Sequence, residues 1–340
     1  MPVMPRSAEF SYDAATAISQ GRRERQEDAV AADFLAGAGT GFAVLADGMG
    51  GHAAGDIASK IVVTEVFSDL KLRGGDPEMM EGRIGDVLQA AAEAANACLG
   101  EYAGGFPESR GMGATLLAPV LFQERLYWIS VGDSPLYLFR GGRLLRLNAE
   151  HSLAAEFAEL VAQGRMPAAE AASHPDRHCV TSVLNGGGIR RIDCRRAPVC
   201  LQAGDILLAA SDGLQFLAET EIAGVLTAEQ HSTSARIGAV LMQRLEQLGA
   251  PEQDNAALCV IKPFAQRMPA QSEPAQARPV HKRPIHKRPA EAEPARMEAR
   301  ADQQPAGAAA ARGRRKITLL ATVSKRGGVS STCSVRDVML

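Results

Sequence analysis

The 340-residue chain predicts an α+β fold in which antiparallel strands and helices build one large domain. Three observations carry this. The runs 114–122, 125–132 and 135–140 are short, apolar or rich in β-formers, and leave no room for helices between them, so they pair as antiparallel neighbours. The segments 53–71, 78–103 and 237–249 repeat apolar residues at helical spacing. Hydrophobic residues make up 46% of the chain, enough for a sizeable core.

The elements follow in order. GFAVLAD (41–47) is a fully apolar strand that stops at Asp47, and the glycines after it lead into helix 53–71. Helix 78–103 comes next, then the three antiparallel runs ATLLAPVLF, RLYWISVG and PLYLFR. DILLAAS (205–211) is another buried strand, stopping at Asp212, and helix 237–249 follows. From residue 264 the composition turns to Pro, Ala, Gln and Arg, with HKRP occurring twice, which predicts a disordered, partly extended tail. The organisation expected is a domain over 1–263, with a flap at about 152–195, and a basic tail over 264–340.

Charge separates the two parts. Residues 263–340 hold 15 Lys+Arg against 6 Asp+Glu, while residues 1–262 hold 22 against 33. An acidic body suits carboxylates that hold divalent cations and fits poorly with nucleic acid, whereas the basic tail suits docking on an acidic partner or surface. The six cysteines contain no C-x-x-C pair, as expected of small hydrophobes in a reducing compartment. The first residues, MPVMPRSAEF, lack a basic start followed by an apolar stretch, and no apolar run approaches the roughly 20 residues that cross a bilayer, so a cytoplasmic location is expected.

The stretch VLADGMGGHAAG (44–55) supports two chemistries. Gly48, Gly50 and Ala53 satisfy the G-x-G-x-x-G/A pattern of a dinucleotide loop, while Asp47 suits a metal site. The rest of the chain favours the metal. Acids or amides occur in RRERQEDAV, LADGMGG, VGDSP, ASDGL and EQDNAAL, where strands end. One such aspartate is a turn or cap residue as readily as a ligand. Several converging carboxylates would repel one another and raise their pKa values, a conflict that a shared divalent cation removes.

Taken together, GRRERQED, LADGMGGHAAG, GMGATL, SVGDSPLYLFR, EHSLAAEF, SHPDRHCVTSVLNGGG, LLAASDGL and QDNAALCVI closely resemble the metal-dependent protein phosphatases of the protein phosphatase 2C family, in its bacterial form, over roughly residues 10–262. The resemblance implies an αββα sandwich, two antiparallel sheets flanked by helices, with metals in a cleft at one edge. It implies that Asp47 bridges two Mn²⁺ or Mg²⁺ ions, with the Gly48 carbonyl on the second. Asp212 and Asp254 fall on ligands of the first ion and Glu27 on a ligand of the second. Asp133 and Asp212 match the pair that holds a weaker third ion. Arg23 matches the arginine that grips the substrate phosphate, and Asp28 and Asn255 match supporting positions. Oxygen-only ligands select such hard cations, and a water bridging them is activated for in-line attack on phosphorus.

Some positions depart from the family pattern. Gln26 stands for the usual Asn, Ala114 for a Thr, and Pro135 for an Arg; Met49 stands where eukaryotic members carry a histidine. His52 is read as a helix-start or packing residue. His151, His174 and His178 flank the flap, which is expected to contact substrate, and Asn185 with Gly186–Gly188 to form its closing turn. The expected function is hydrolysis of phosphoserine and phosphothreonine on proteins by a monomer that opposes a eukaryotic-like Ser/Thr kinase. The alternatives are a pseudophosphatase that binds phosphoproteins without turnover and, further off, a nucleotide-binding oxidoreductase.

Overall fold

The computed structural model describes residues 9–50 and 54–266, and all structural statements below concern these residues. The predicted tail, 264–340, starts too early, because residues 264–266 complete the last strand; its remainder from 267 onward, and His52, lie outside the described residues. Eleven strands and seven helices occur among them in chain order. The strands are β1 (Glu9–Ser19), β2 (Asp28–Phe34), β3 (Thr40–Met49), β4 (Gly113–Ala114), β5 (Leu116–Phe122), β6 (Arg125–Val131), β7 (Leu136–Arg140), β8 (Arg143–Arg146), β9 (Asp193–Cys200), β10 (Ile206–Ala210) and β11 (Ala256–Gln266). The helices are α1 (Ala54–Arg73), α2 (Pro77–Gly82), α3 (Ile84–Gly105), α4 (Leu153–Ala162), α5 (Ala168–Ser173), α6 (Glu219–Ala228) and α7 (Ser234–Leu248).

Two antiparallel sheets result. One has the order β1-β11-β10-β7-β8, the other β2-β3-β5-β6-β9, with the short β4 added to the end of β3. Side-chain alternation along each strand sorts the core into three layers. Ala43, Leu45, Leu117 and Trp128 of one sheet meet Leu138, Leu207, Ala209 and Cys259 of the other between the sheets. The intervening residues Phe42, Val44 and Ala46 face outward under α1 and α3. Leu208, Ala210, Leu258 and Val260 face outward under α6 and α7. Because both faces of each sheet are covered, the central strands read as unbroken apolar runs. This is the expected αββα sandwich.

The structure refines several boundaries. Helix 78–103 is two helices: Asp76 caps α2 through the Met79 N–H (3.1 Å) with Pro77 at its first position. The helix then breaks after Gly82, where Arg83 takes φ −128°. Residues 193–195, placed in the flap by the sequence, begin β9 at the sheet edge. Pro119 sits inside β5, and the β3–β5 ladder skips the pairs opposite Pro119 and Ala118, because proline has no N–H to donate. No helix among the described residues is long and apolar enough to cross a membrane.

Candidate metal and phosphate site

The antiparallel pairing places the acidic segments together. Ser19 at the end of β1 pairs with Ala256 at the start of β11, and Asp28 at the start of β2 pairs with Asp47 near the end of β3. Asp133 follows the last residue of β6, Asp212 follows β10, and Asp254 precedes β11. All these termini lie at the same end of the sandwich, so positions from Arg23 to Asn255 meet there.

Backbone ladders and polar side chains hold each group. The Asp47 N–H donates to Thr115 Oγ1 (2.9 Å) and its carbonyl accepts from the Thr115 N–H (2.8 Å). Thr115 Oγ1 also meets Ser134 Oγ at 3.0 Å, next to Asp133. Asp28 accepts from the Ser211 hydroxyl (2.6 Å), and the same hydroxyl oxygen accepts from the Ala257 N–H (2.9 Å). Asn255 ties the segment before β11 to the β1–β2 loop at three points: its Oδ1 accepts from the Glu27 N–H (2.7 Å), and its Nδ2 donates to the carbonyls of Gln20 (2.8 Å) and Arg25 (2.9 Å). Gln26, in the place of the family's asparagine, braces the same loop by donating to Ser19 O (2.8 Å) and accepting from the Asp28 N–H (2.8 Å). Gly48 sits where a side chain would collide, since a Cβ there would lie 2.0 Å from the Gly55 carbonyl oxygen.

The electrostatics are those of crowded acids. Burial, and then the charges of Asp28, Asp212 and Asp133, hold Asp47 well above the usual carboxylate range; its carboxyl also hydrogen-bonds that of Asp212. Asp28 is pushed up to about 7, chiefly by burial, with the Ser211 hydrogen bond opposing and Asp212 and Asp254 adding repulsion. Asp133 reaches about 7 through burial and then Asp212. Asp212 is raised by burial and Asp254, and Glu27 by burial. Arg23 pairs with a site acid, its Nη2 donating to Asp254 at 2.6 Å, and Arg146 and Arg25 oppose the rise of Asp133 and Glu27 from nearby.

Some of these groups line a cleft of about 970 Å³, whose wall includes Arg22, Arg23, Asp133, Asp212 and Asp254 on the sandwich side. Ser152, Arg177 and His178 face it from the flap. The other two flap histidines do structural work. His151 is buried and accepts the Gly132 N–H at Nδ1 (3.1 Å), while His174 packs on Phe157 with ring centroids 4.6 Å apart. Asn185–Gly188 forms the expected turn, docked on α3 where Asn96 Oδ1 accepts the N–H groups of Asn185 and Gly186 (both 2.9 Å).

Ligand closure is incomplete: among the described residues, no three carboxylate, imidazole or thiol side chains form a group placed to hold one metal ion. The donor chemistry still fits. Mg²⁺-like cations keep several waters and need only one or two carboxylates each. Asp133 Oδ1 is buried with no hydrogen-bond partner, and the Asp47–Asp212 pair is short of compensating charge. The dinucleotide reading fails at the backbone, because the Gly48 N–H donates to the Glu27 carbonyl (3.1 Å) and β3 lies in an antiparallel sheet.

Comparison with known proteins agrees. A family model for protein phosphatase 2C matches residues 19–258, which include every residue of the site. The chain belongs to the protein phosphatase 2C family. Within it, the chain is 35% identical over 178 residues to the serine/threonine protein phosphatase PstP of Mycobacterium tuberculosis, which covers 52% of this chain and 32% of that relative. It thus spans about a third of that relative's length. It is 32% identical over 188 residues to the serine/threonine phosphatase stp of Listeria monocytogenes, covering 55% of this chain and 72% of that one. The solved structure of Mycobacterium tuberculosis PstP/Ppp superposes with a TM-score of 0.61 at 30% identity, over 74% of this chain and 98% of that chain. The PstP catalytic domain in complex with two manganese ions gives 0.59 at 29% identity, over 75% and 99%.

The polar scaffold around the acids is not obvious in the sequence. Ser211, Thr115 and Ser134 are buried at strand ends and brace the segments that carry the acids, and only Ser211, directly after the apolar run of β10, has a local signal.

Proposed function

We propose that the chain is a Mn²⁺- or Mg²⁺-dependent phosphatase acting on phosphoserine and phosphothreonine in proteins, in opposition to a Ser/Thr kinase. The observation that carries this reading is the meeting of Glu27, Asp28, Asp47, Asp133, Asp212, Asp254 and Arg23 at one end of the paired sheets, where burial, with repulsion from neighbouring acids, raises Asp28, Asp47, Asp133 and Asp212.

In this reading, Asp47, Asp212 and Asp254 hold one cation; Asp47, the Gly48 carbonyl and Glu27 hold a second. Asp133 with Asp212 holds a weaker third, for which the unpartnered Asp133 Oδ1 is the support. When bound, the cations supply Lewis-acid charge and lower the pKa of water for attack on phosphorus. Asp28 and Asn255 orient the ligand loops through Ser211 and the Glu27 N–H. Arg23 binds phosphate: only its Nη2 is engaged by Asp254, which leaves Nε and Nη1 to donate to phosphate oxygens. The flap borders the cleft and shapes what enters it. The domain is taken to act as a monomer in the cytoplasm, with the basic segment after it as a separate docking element.

Purified protein with Mn²⁺ should release phosphate from a phosphothreonine peptide, and Asp47→Ala or Asp212→Ala should abolish release. Activity that persists in EDTA would overturn the reading. A pseudophosphatase would bind the peptide but release no phosphate.

A further inference from the structure

We infer that Arg22 is a specificity residue and that the preferred substrates carry an anionic side chain within one or two residues of the phosphorylated serine or threonine. This rests on the phosphatase reading above. Arg22 stands immediately before Arg23, and both line the cleft. Their environments differ. Arg23 is bound to Asp254 at 2.6 Å, whereas Arg22 is exposed and, among the described residues, has no carboxylate partner.

The position of Arg22 is defined by the backbone. Its N–H donates to the Gln253 carbonyl at 2.8 Å, which locks the loop after β1 against the loop before β11. Gly21 makes that contact possible. It holds φ +59°, and a Cβ there would lie 2.1 Å from the Asp254 carbonyl oxygen. Arg22 is therefore carried on a tightly seated loop even though its side chain is in solvent.

The opposite wall repeats the charge. Arg177 from the flap lines the same cleft; its Nη1 donates only to the Ala172 carbonyl (3.2 Å), and its Nε is buried without a partner. The cleft's acids are largely committed: Glu150 to Arg146 at 2.5 Å, Asp254 to Arg23, and Asp133 and Asp212 to the proposed cations. Glu252 remains as an unpaired rim acid. Once the cations offset the central carboxylates, Arg22 and Arg177 leave the peptide-facing rim positive.

Spacing gives the substrate class. Consecutive residues lie about 3.8 Å apart on both the enzyme and an extended peptide. A peptide whose phosphate meets Arg23 therefore brings the side chain of an adjacent residue within reach of Arg22. The chemistry that satisfies a free guanidinium is a carboxylate or a second phosphate. Such a contact on an exposed rim is expected to change relative rates about two- to fivefold.

The test uses the full chain with Mn²⁺ and four phosphothreonine peptides that differ only in the flanking residue: alanine, glutamate, phosphoserine as its non-hydrolysable phosphonate analogue, or lysine. The readout is the ratio of kcat/KM values, which is insensitive to overall losses of activity. Wild type should favour the glutamate or phosphoserine peptide over the alanine peptide and disfavour the lysine peptide; the first two arms separate the two anion sources. Arg22→Ala should bring the ratios towards one, and Arg22→Glu should reverse the order in favour of lysine. Equal rates on all four by the wild type, or ratios unchanged in Arg22→Glu, would overturn the subsite and leave the phosphatase reading intact. No hydrolysis of any peptide would overturn both.

Discussion

Asp28 and Asp47 face each other directly across the β2–β3 ladder, two acids placed as cross-strand partners. Like charges in that position oppose strand pairing. The structure offsets this by giving Asp28 the Ser211 hydroxyl and by raising both carboxyls until they hold protons more tightly. The strain of the site therefore lies in the sheet itself, where bound cations would relieve it.

Ser211→Ala should show how much of the site this hydroxyl supports. The substitution removes the Ser211 donor from buried Asp28 and the Ser211 acceptor from the Ala257 N–H. A loss of about 2–3 kcal/mol is expected. Urea unfolding followed with Mn²⁺ and with EDTA should show the loss in both; a midpoint equal to wild type would exclude this role.

Arg23→Ala should lower kcat/KM for a phosphothreonine peptide about a hundredfold or more, the scale of one well-placed donor to a developing anion. Arg23→Lys should recover only part of it, because an ammonium is a point charge without a planar fork. Steady-state kinetics at saturating Mn²⁺ would measure both.

Gly48→Ala tests the close approach of β3 to the start of α1. The new Cβ would meet the Gly55 carbonyl oxygen at 2.0 Å and the Glu27 carbonyl oxygen at 2.7 Å, and backbone is all that can yield. The expected cost exceeds about 3 kcal/mol. A melting temperature within a degree or two of wild type would show that the backbone opens at little cost.

Glu81 gives a pH prediction away from the site. Hydrogen bonds from Arg125 (2.5 and 2.8 Å), and then from Tyr127 (2.8 Å), hold its carboxyl below the usual range against the effect of burial. The folded pKa is depressed, so the stabilisation is present above the unfolded value of about 4.3 and is lost as pH falls through the folded pKa. With Arg125 a third exposed, the pair contributes on the order of 1 kcal/mol. Glu81→Gln should melt below wild type near pH 7, and the gap should narrow below about pH 4.3. A gap that is constant with pH would exclude the ion pair as its source.

The sequence by itself determined the α+β class, the antiparallel pairing of 114–140, the three long helical regions and the acidic positions at strand ends. It did so because period-2 and period-3.6 patterns and an abrupt apolar-to-acid step are local properties. β1 and β2 were not legible as strands, since DAATAIS and DAVAADF are alanine-rich and declare themselves only by pairing with β11 and β3. The helices of the flap, α4 and α5, bury no residue fully and are short, so they do not stand out as core elements. Only the tertiary structure decided which polar residues brace the acids, that Arg23 is engaged by Asp254 while Arg22 is free, and that Asp28 opposes Asp47. These relations join positions up to 231 residues apart. No local pattern encodes them, because strand register and loop packing across two sheets set them.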